Sequence, residues 1–196
     1  MKYVVGIDEV GRGPLAGPVT VCVVVCDLKF YTKLKKDKRL PPLGKDSKKL
    51  SPKERQKYSK YLKHIGLAYV IVNISNKVID GKGISFSIKR AISQGINKLR
   101  LDPKECGVLL DGGLQAPKEF KKQKTIIKGD EKEKIIAWAS ILAKVSRDAL
   151  MCRLAKKYPK YCLEIHKGYG TSKHFEAIRK HGLSELHRKT FCKKLI

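Results

Sequence analysis

The chain carries two adjacent acids at the end of an apolar run, in the segment YVVGIDEVGRGPLAGP (3–18). Asp8 and Glu9 follow the apolar residues, and glycines, an arginine and two prolines come directly after them. Clustered carboxylates repel one another and raise one another's pKa unless a cation neutralises them. Hard divalent cations such as Mg²⁺ and Mn²⁺ prefer oxygen ligands. The pair is therefore the first candidate for a metal site.

Two further acids end strand-like runs elsewhere in the chain. GVLLD (107–111) ends in Asp111, and KTIIKGD (124–130) ends in Asp130. In an open α/β sheet, ligands bind at the carboxyl edge of the strands, so acids from separate strands can converge there. A single acid at a strand end is usually a turn former or a helix cap. Three such ends, in a chain with only 18 Asp and Glu, favour a shared site.

The first pair meets a geometric objection. In a regular strand Asp8 and Glu9 would point to opposite faces of the sheet. Both can serve one site only if the strand twists or bulges at its end, or if Glu9 contributes through its backbone. The glycines that follow permit either arrangement, and the sequence leaves both open.

The segment Gly11-Arg12-Gly13-Pro14 is the second chemical feature. Glycine allows a backbone to approach a ligand closely, and the exposed N–H groups of such a loop can bind phosphate or hydroxyl oxygens. Arg12 adds a planar fork of donors that suits phosphate. As a bare pattern GRG is common in turns, but directly after an acid pair in a strongly basic chain it suggests such a binding loop.

An alternation of strands and helices is predicted to position these residues. Strands are expected at 2–8, 19–26, 67–75, 107–111 and 124–130. Residues 29–63 are predicted as a loop followed by a helix that starts with a capping box at Ser51 and Glu54. Further helices are expected up to about Leu99, over about 132–157, and in the basic tail from Lys167, with Thr171 or Ser172 as cap. This order predicts an α/β sheet with helices packed on it.

The charge is far from neutral, with 44 Lys and Arg against 18 Asp and Glu and a formal net charge of +26. Such a surplus implies a polyanionic partner, most commonly DNA or RNA, although ribosome-associated and anionic-membrane proteins share it. The six cysteines show no zinc spacing and are expected to be small buried residues in a reducing cytosol. No signal peptide is evident and no apolar stretch approaches the ~20 residues of a membrane span. We expect a cytoplasmic protein without a membrane partner.

Several motifs, in this order, resemble the type 2 ribonuclease H or bacterial ribonuclease HII family. They are GIDEVGRGPLAGPV (6–19), DSKKLSPKER (46–55), DGG (111–113), KGD (128–130), ASILAKVSRD (139–148) and HKGYGTSKHFEAI (166–178). The resemblance implies a ribonuclease-H-like mixed sheet flanked by helices, with a C-terminal helical part. We expect one domain over 1–196, with an α/β catalytic core at about 1–158 and a helical segment at about 159–196.

The resemblance also implies an activity. Members of this family hydrolyse the RNA strand of RNA/DNA hybrids and incise duplex DNA 5′ to embedded ribonucleotides, leaving 5′-phosphate and 3′-hydroxyl ends. The implied cofactor is Mn²⁺ or Mg²⁺, with two ions at the site during catalysis. The implied partners are RNA/DNA hybrid and DNA with embedded ribonucleotides, and we expect a monomer.

Site residues are carried over by motif. Asp8, Glu9, Asp111 and Asp130 would be the metal ligands and catalytic carboxylates. Gly11, Arg12 and Gly13 would recognise the ribose 2′-hydroxyl through their backbone, which is the group that distinguishes RNA from DNA. Tyr169 would pack on the sugar at the RNA–DNA junction. Lys48 would contact the backbone of the nucleic acid.

Some residues admit a second interpretation. Asp148 also follows a recognisable motif and could be mistaken for the fourth acid, but we interpret it as a structural residue in mid-helix. His187 and Arg188 would contact phosphate or support the tail. Gly113, in DGG where DGN is commoner, and Trp138, where a small residue is usual, depart from the family pattern.

Two other functions remain open from the sequence. One is another divalent-metal nuclease of the same fold, with a different strand or junction preference. The other is a non-catalytic nucleic-acid-binding module that uses only its basic surface. The clustered acids count against the second, because a phosphate binder gains nothing from concentrated negative charge.

Overall fold

The computed structural model describes residues 1–41, 50–193 and 195, and Lys48 lies outside these ranges. In the described chain a five-stranded mixed sheet has the order β3-β2-β1-β4-β5. The central strand β1 pairs antiparallel with β2 and parallel with β4. The outer strands β3 and β5 pair antiparallel with β2 and parallel with β4. The strands are β1 (Tyr3–Val10), β2 (Val19–Asp27), β3 (Ala68–Ile74), β4 (Cys106–Asp111) and β5 (Gln123–Ile126).

Helices cover both faces of this sheet, so the predicted mixed sheet with flanking helices is confirmed. Short 3₁₀ turns at Pro159–Tyr161 and Lys189–Phe191 join the C-terminal elements. The helices are α1 (Leu28–Leu34), α2 (Pro52–His64), α3 (Asn76–Lys82), α4 (Ile84–Lys98), α5 (Gly129–Lys132), α6 (Lys134–Lys157), α7 (Leu163–His166) and α8 (Ser172–His181).

Strand β2 is apolar on both faces because each face meets a helical layer. Val21 and Val23 pack on the side of α4. Cys22 and Cys26 lie together on the other face, with α1 and α6, as their spacing predicts. All six cysteines are free thiols.

Helix α6 packs directly on the central strand. A Cβ at Gly6 would lie 2.4 Å from the carbonyl oxygen of Ile135, so only glycine allows this close approach. Trp138 is fully buried, and its ring meets Tyr31 of α1 edge-on at 5.5 Å between centroids. The unusual tryptophan is therefore accommodated by an aromatic contact from α1.

Several predicted boundaries are wrong. Residues 28–34 form α1 where a loop was expected, because Asp27 caps the helix by accepting from the N–H groups of Lys29 and Phe30 and because Tyr31 and Leu34 are buried. Helix α3 was not predicted, β5 ends at Ile126, and the segment after it turns into α5. Within the described residues from Lys167 onwards, the tail forms one α-helix, α8, and a later 3₁₀ turn.

The predicted helix caps are confirmed. The Ser51 hydroxyl accepts from the N–H of Glu54 while the Glu54 carboxylate accepts from the N–H of Ser51, which completes the capping box of α2. Thr171 caps α8. Among the helices in the described ranges, none is long and apolar enough to span a bilayer.

Candidate active site

The first two acids lie where β1 extends past its parallel neighbour. The parallel pairing of β1 with β4 ends at Ile7 and Leu110, whereas its antiparallel pairing with β2 continues to Val10. The expected strand end at Asp8 is therefore wrong. The strand continues, and Asp8 and Glu9 stand beside an open position in the sheet.

Asp8 is almost completely buried in this notch. Its Oδ1 accepts from the backbone N–H of Glu9 at 2.7 Å, and the Ser140 side chain of α6 also hydrogen-bonds to the carboxylate. Burial, reinforced by the charge of Glu9, raises the pKa of Asp8 well above its ordinary value. A nearby cation would stabilise the ionised form.

Glu9 lines the same cleft despite the alternation of the strand. One carboxylate oxygen forms an ion pair with Arg12 at 3.1 Å. The other, Oε2, is buried and has no hydrogen-bond partner among the residues that the structure describes. Burial raises the pKa of Glu9 even though Arg12 opposes the shift. The geometric objection is thus resolved at the end of β1, where both side chains reach one cleft.

Asp111 ends β4, and its Oδ1 accepts from the backbone N–H of Gly129 at 2.6 Å. A Cβ at position 129 would lie 2.6 Å from Ile136 and 3.2 Å from this carboxylate, so glycine permits the contact. The family-departing Gly113 has open space at its Cβ position and constrains nothing there. The loop after β5 is thus tied to the acid at the end of β4.

Asp130 is not at a strand end as predicted, because the chain turns at Lys128 in a left-handed conformation and enters α5. The buried Asp130 lies in the first turn of this short helix and lines the cleft. Asp148 is instead in mid-helix in α6 and forms an ion pair with Lys144 at 3.0 Å. The structure places Asp130 and not Asp148 among the cleft-lining acids.

The cleft has a volume of about 460 Å³ and contains the four predicted acids and the predicted Tyr169. Three polar residues of its wall were not singled out from the sequence. Ser140 and Lys144 are four residues apart in α6 and so share one face, a spacing visible in ASILAKVSRD. Arg55 of α2 is buried and donates to the Leu50 carbonyl at 2.8 Å. The lining residues are Asp8, Glu9, Val10, Arg55, Asp111, Asp130, Ser140, Lys144 and Tyr169.

Tyr169 lies at the exposed rim of the cleft, with 39% of its surface accessible. Lys144 Nζ is 5.9 Å and Arg147 Cζ 5.8 Å from its ring centroid. Its backbone N–H donates to the His166 carbonyl at 2.9 Å. An exposed aromatic face on a fixed backbone, beside cations, suits a sugar or base next to phosphate.

The glycine loop runs along the same side. Gly11 has φ of +88°, and a Cβ there would lie 2.2 Å from Nε of Arg147, so glycine is required. The exposed Arg12 side chain pairs with Glu9. Arg188, for which phosphate contact or tail support was expected, is fully buried and donates to carbonyls of this loop. The prediction that Arg188 contacts phosphate is therefore wrong.

The donor set of the cleft fits a hard divalent cation. All four acids offer carboxylate oxygens, and Glu9 Oε2 is a buried acceptor without a partner in the described chain. Within the same ranges, no group of three or more His, Cys, Asp or Glu side chains is placed so that it could hold a metal ion by itself. Mg²⁺ commonly binds one or two carboxylates and completes its shell with water and substrate phosphate. The cleft matches that open mode and not a closed structural site.

The sheet order and the acidic cleft define the class of protein as an α/β protein of ribonuclease-H-like architecture. The sequence pattern of the ribonuclease HII family matches residues 5–194. The chain is 44% identical over 195 residues to ribonuclease HII of Clostridium beijerinckii, covering 100% of this chain and 69% of that protein. It is 45% identical over 188 residues to ribonuclease HII of Endomicrobium trichonymphae, covering 96% and 84% of the two chains.

A solved structure agrees with these sequence matches. The ribonuclease H2 from Pyrococcus horikoshii OT3 superposes with a TM-score of 0.76 at 28% identity, covering 98% of this chain and 96% of that one. The chain belongs to the ribonuclease HII family of metal-dependent endoribonucleases.

Proposed function

We propose that this chain hydrolyses the RNA strand of RNA/DNA hybrids and incises duplex DNA 5′ to embedded ribonucleotides, leaving 5′-phosphate and 3′-hydroxyl ends. One observation carries the proposal. Four acids from β1, β4 and α5 line one cleft, and one buried carboxylate oxygen there lacks a partner in the described chain. A binding module without catalysis would have no use for this buried negative charge.

In this proposal Asp8, Glu9, Asp111 and Asp130 hold two divalent ions, Mn²⁺ or Mg²⁺. Such ions, when bound, activate a water for in-line attack and stabilise the leaving 3′-oxygen. The protein's part is to bring the carboxylates into one notch. The N–H of Gly129 orients Asp111, and Ser140 orients Asp8.

The remaining cleft residues would bind the substrate. Lys144 and Arg55 place positive charge on the cleft wall, where it can offset phosphate charge. Tyr169 would pack on the sugar at the RNA–DNA junction, and the backbone of Gly11, Arg12 and Gly13 would bind the 2′-hydroxyl. The net charge of +26 would add affinity that does not depend on base sequence and weakens with salt.

The proposal also covers the organisation of the chain. Residues 1–196 would act as one domain, in the cytoplasm and as a monomer. The C-terminal segment from about 159 brings Tyr169 to a cleft otherwise built by residues before 158. Residues of both parts pack in one buried cluster, in which Leu163 contacts the group containing Ala16 and Met151.

The test compares the wild type with Asp111→Asn on duplex DNA carrying one ribonucleotide, in Mn²⁺ and in Mg²⁺. We expect the wild type to cut 5′ to the ribonucleotide. The cleavage rate of the variant should fall at least about 10²-fold, because a charged carboxylate ligand is replaced by a neutral carboxamide. Binding of the duplex should be retained.

Asp148→Asn is the matched control, since it makes the same Asp-to-Asn change at an acid that does not line the cleft. It should cleave at close to the wild-type rate. Near wild-type turnover by Asp111→Asn would refute the proposed metal site, and binding without cutting by the wild type would refute the proposed activity.

A further inference from the structure

Arg188 is a fully buried cation whose guanidinium donates hydrogen bonds to the backbone carbonyls of one loop. Its Nη2 donates to the Gly11 carbonyl at 2.7 Å, its Nη1 to the Arg12 carbonyl at 2.8 Å and its Nε to the Gly17 carbonyl at 3.0 Å. Its own backbone N–H donates to the Leu15 carbonyl at 2.7 Å. In the part of the chain that the structure describes, it forms no ion pair with a carboxylate. Burial lowers its pKa to about 10, so the guanidinium stays charged at neutral pH.

These bonds determine where two backbone amides point. A trans peptide unit places the carbonyl of one residue and the N–H of the next on opposite sides of a plane. The carbonyls of Gly11 and Arg12 point inward to Arg188, so the N–H groups of Arg12 and Gly13 point outward. Both residues are exposed, and over the described ranges neither N–H donates to a protein acceptor. The donor series ends there, because Pro14 has no N–H.

The same bonds strengthen these two donors. A charged donor on a carbonyl polarises the whole peptide unit, which makes its N–H a better hydrogen-bond donor. Arg147, the other fully buried arginine, donates to the carbonyls of Ala16, Pro18 and Lys167 and so acts on different peptide units. The two outward amides are therefore specifically linked to Arg188.

We propose that Arg188 is a positioning residue that orients and polarises the Arg12 and Gly13 amides for the ribose 2′-hydroxyl, and so sets the preference for RNA over DNA. This inference rests on the proposed role of the glycine loop in binding that hydroxyl. Arg188 itself never touches the substrate. Its contribution is made through the two peptide units that it holds.

The test measures how much one 2′-hydroxyl contributes to binding. Two duplexes that differ only in a single ribonucleotide are titrated by fluorescence anisotropy, in the Asp111→Asn background with Mg²⁺ to prevent turnover and at moderate salt. The parent protein should bind the ribonucleotide duplex more tightly. Arg188→Lys keeps the charge and loses the three-carbonyl fork, and we expect the affinity ratio to fall by about fivefold.

A purely structural role predicts a different result. Loss of folded protein lowers the apparent affinity for both duplexes equally and leaves their ratio unchanged. Ile92→Val is the matched control, because it destabilises the core on the α4 side of the sheet, away from the loop. Its ratio should equal that of the parent.

A second variant leaves Arg188 in place and weakens only its support, in case Arg188→Lys does not fold. The Asp80 carboxylate accepts from the N–H groups of Lys189 and Thr190 at 2.9 and 3.0 Å and so anchors the backbone beside Arg188. Asp80→Ala should lower the affinity ratio by a smaller factor than Arg188→Lys.

The role of Arg188 and the recognition of the 2′-hydroxyl can fail separately in this experiment. A parent protein that binds both duplexes equally would refute 2′-hydroxyl recognition itself. A parent that discriminates, with unchanged ratios in Arg188→Lys and Asp80→Ala, would overturn the role of Arg188 and leave the proposed function intact.

Discussion

At the scale of single residues, the cleft shows how backbone geometry decides what a side chain can do. Asp8 and Glu9 are adjacent in a strand, where side chains alternate between faces, yet both line one cleft. They can do so because β1 continues past Ile7, the last residue that pairs with β4. Arg12 is exposed but pairs with Glu9, and Arg188 is buried beneath the loop. Arg188 therefore cannot reach a phosphate, whereas Arg12 lies exposed beside the cleft.

Tyr169 is the residue for which the substrate dependence should be sharpest. We expect Tyr169→Ala to slow cleavage at a single embedded ribonucleotide by about tenfold or more, since stacking on an exposed aromatic face contributes about 1–3 kcal/mol. Cleavage of a uniform RNA/DNA hybrid should change less. Tyr169→Phe retains the aromatic face and should stay close to the wild-type rate on both substrates. Equal rates for wild type and Tyr169→Ala on the single-ribonucleotide duplex would exclude the packing role.

At the scale of elements, local caps explain both a success and a failure of prediction. The capping box of α2 is visible in SPKE because its two partners are three residues apart. Helix α1 was missed because its seven residues carry no comparable pattern and only Tyr31 and Leu34 are buried. Its formation depends on the Asp27 cap and on the aromatic contact with Trp138 of α6.

We therefore expect Asp27→Ala to lower the free energy of unfolding by about 1 kcal/mol, the usual contribution of an N-cap. Urea denaturation followed by circular dichroism would measure the change. Lys29→Ala is the control, because it alters an exposed residue of α1 and leaves the cap in place. A midpoint for Asp27→Ala that matches Lys29→Ala would contradict the role of the cap.

At the scale of the whole molecule, three buried histidines pack against one another within the C-terminal segment. The rings of His166 and His174 stack at 4.2 Å, and Nε2 of His174 lies 3.1 Å from Nε2 of His187. Nδ1 of His174 lies 3.0 Å from the Tyr169 carbonyl, which only an N–H of that nitrogen can satisfy. Neutral rings satisfy all of these contacts, and burial lowers the pKa of each, that of His174 to about 4.

The sign of the resulting pH dependence follows from linkage. In the unfolded chain these histidines titrate near pH 6.5, so below that pH the unfolded state binds more protons than the folded state. The cluster's stabilisation is complete above about pH 6.5 and is lost as the pH falls towards 4. Asp8 and Glu9, with raised pKa values, contribute in the opposite sense.

The contribution of the cluster is the difference between the wild type and His174→Gln in urea midpoints measured from pH 7.5 to 4.5. We expect the wild type to lose more stability than the variant over this range. His64→Gln, at the exposed end of α2, should follow the wild type. Parallel curves for wild type and His174→Gln would show that the cluster does not carry a proton-linked stability.

The class of fold, the strands that bear Asp8 and Asp111, and the family to which the chain belongs could all be predicted from the sequence. Apolar runs, capping residues and motifs are local features of the sequence, so the structures that they predict can be identified without knowledge of distant contacts. The acid in α5 was located by its motif, although its secondary structure was predicted incorrectly.

Which polar residues share the cleft and which lie beneath it depends on the packing of elements that are distant in the chain. Ser140, Lys144 and Arg55 reach the cleft because α6 and α2 pack at the end of β1. The burial of Arg188 depends on carbonyls more than 170 positions away in the chain, since the bond to Gly11 spans 177 residues. Contacts of that separation leave no periodic or local trace in a sequence, because they arise only when the sheet and the C-terminal segment pack together.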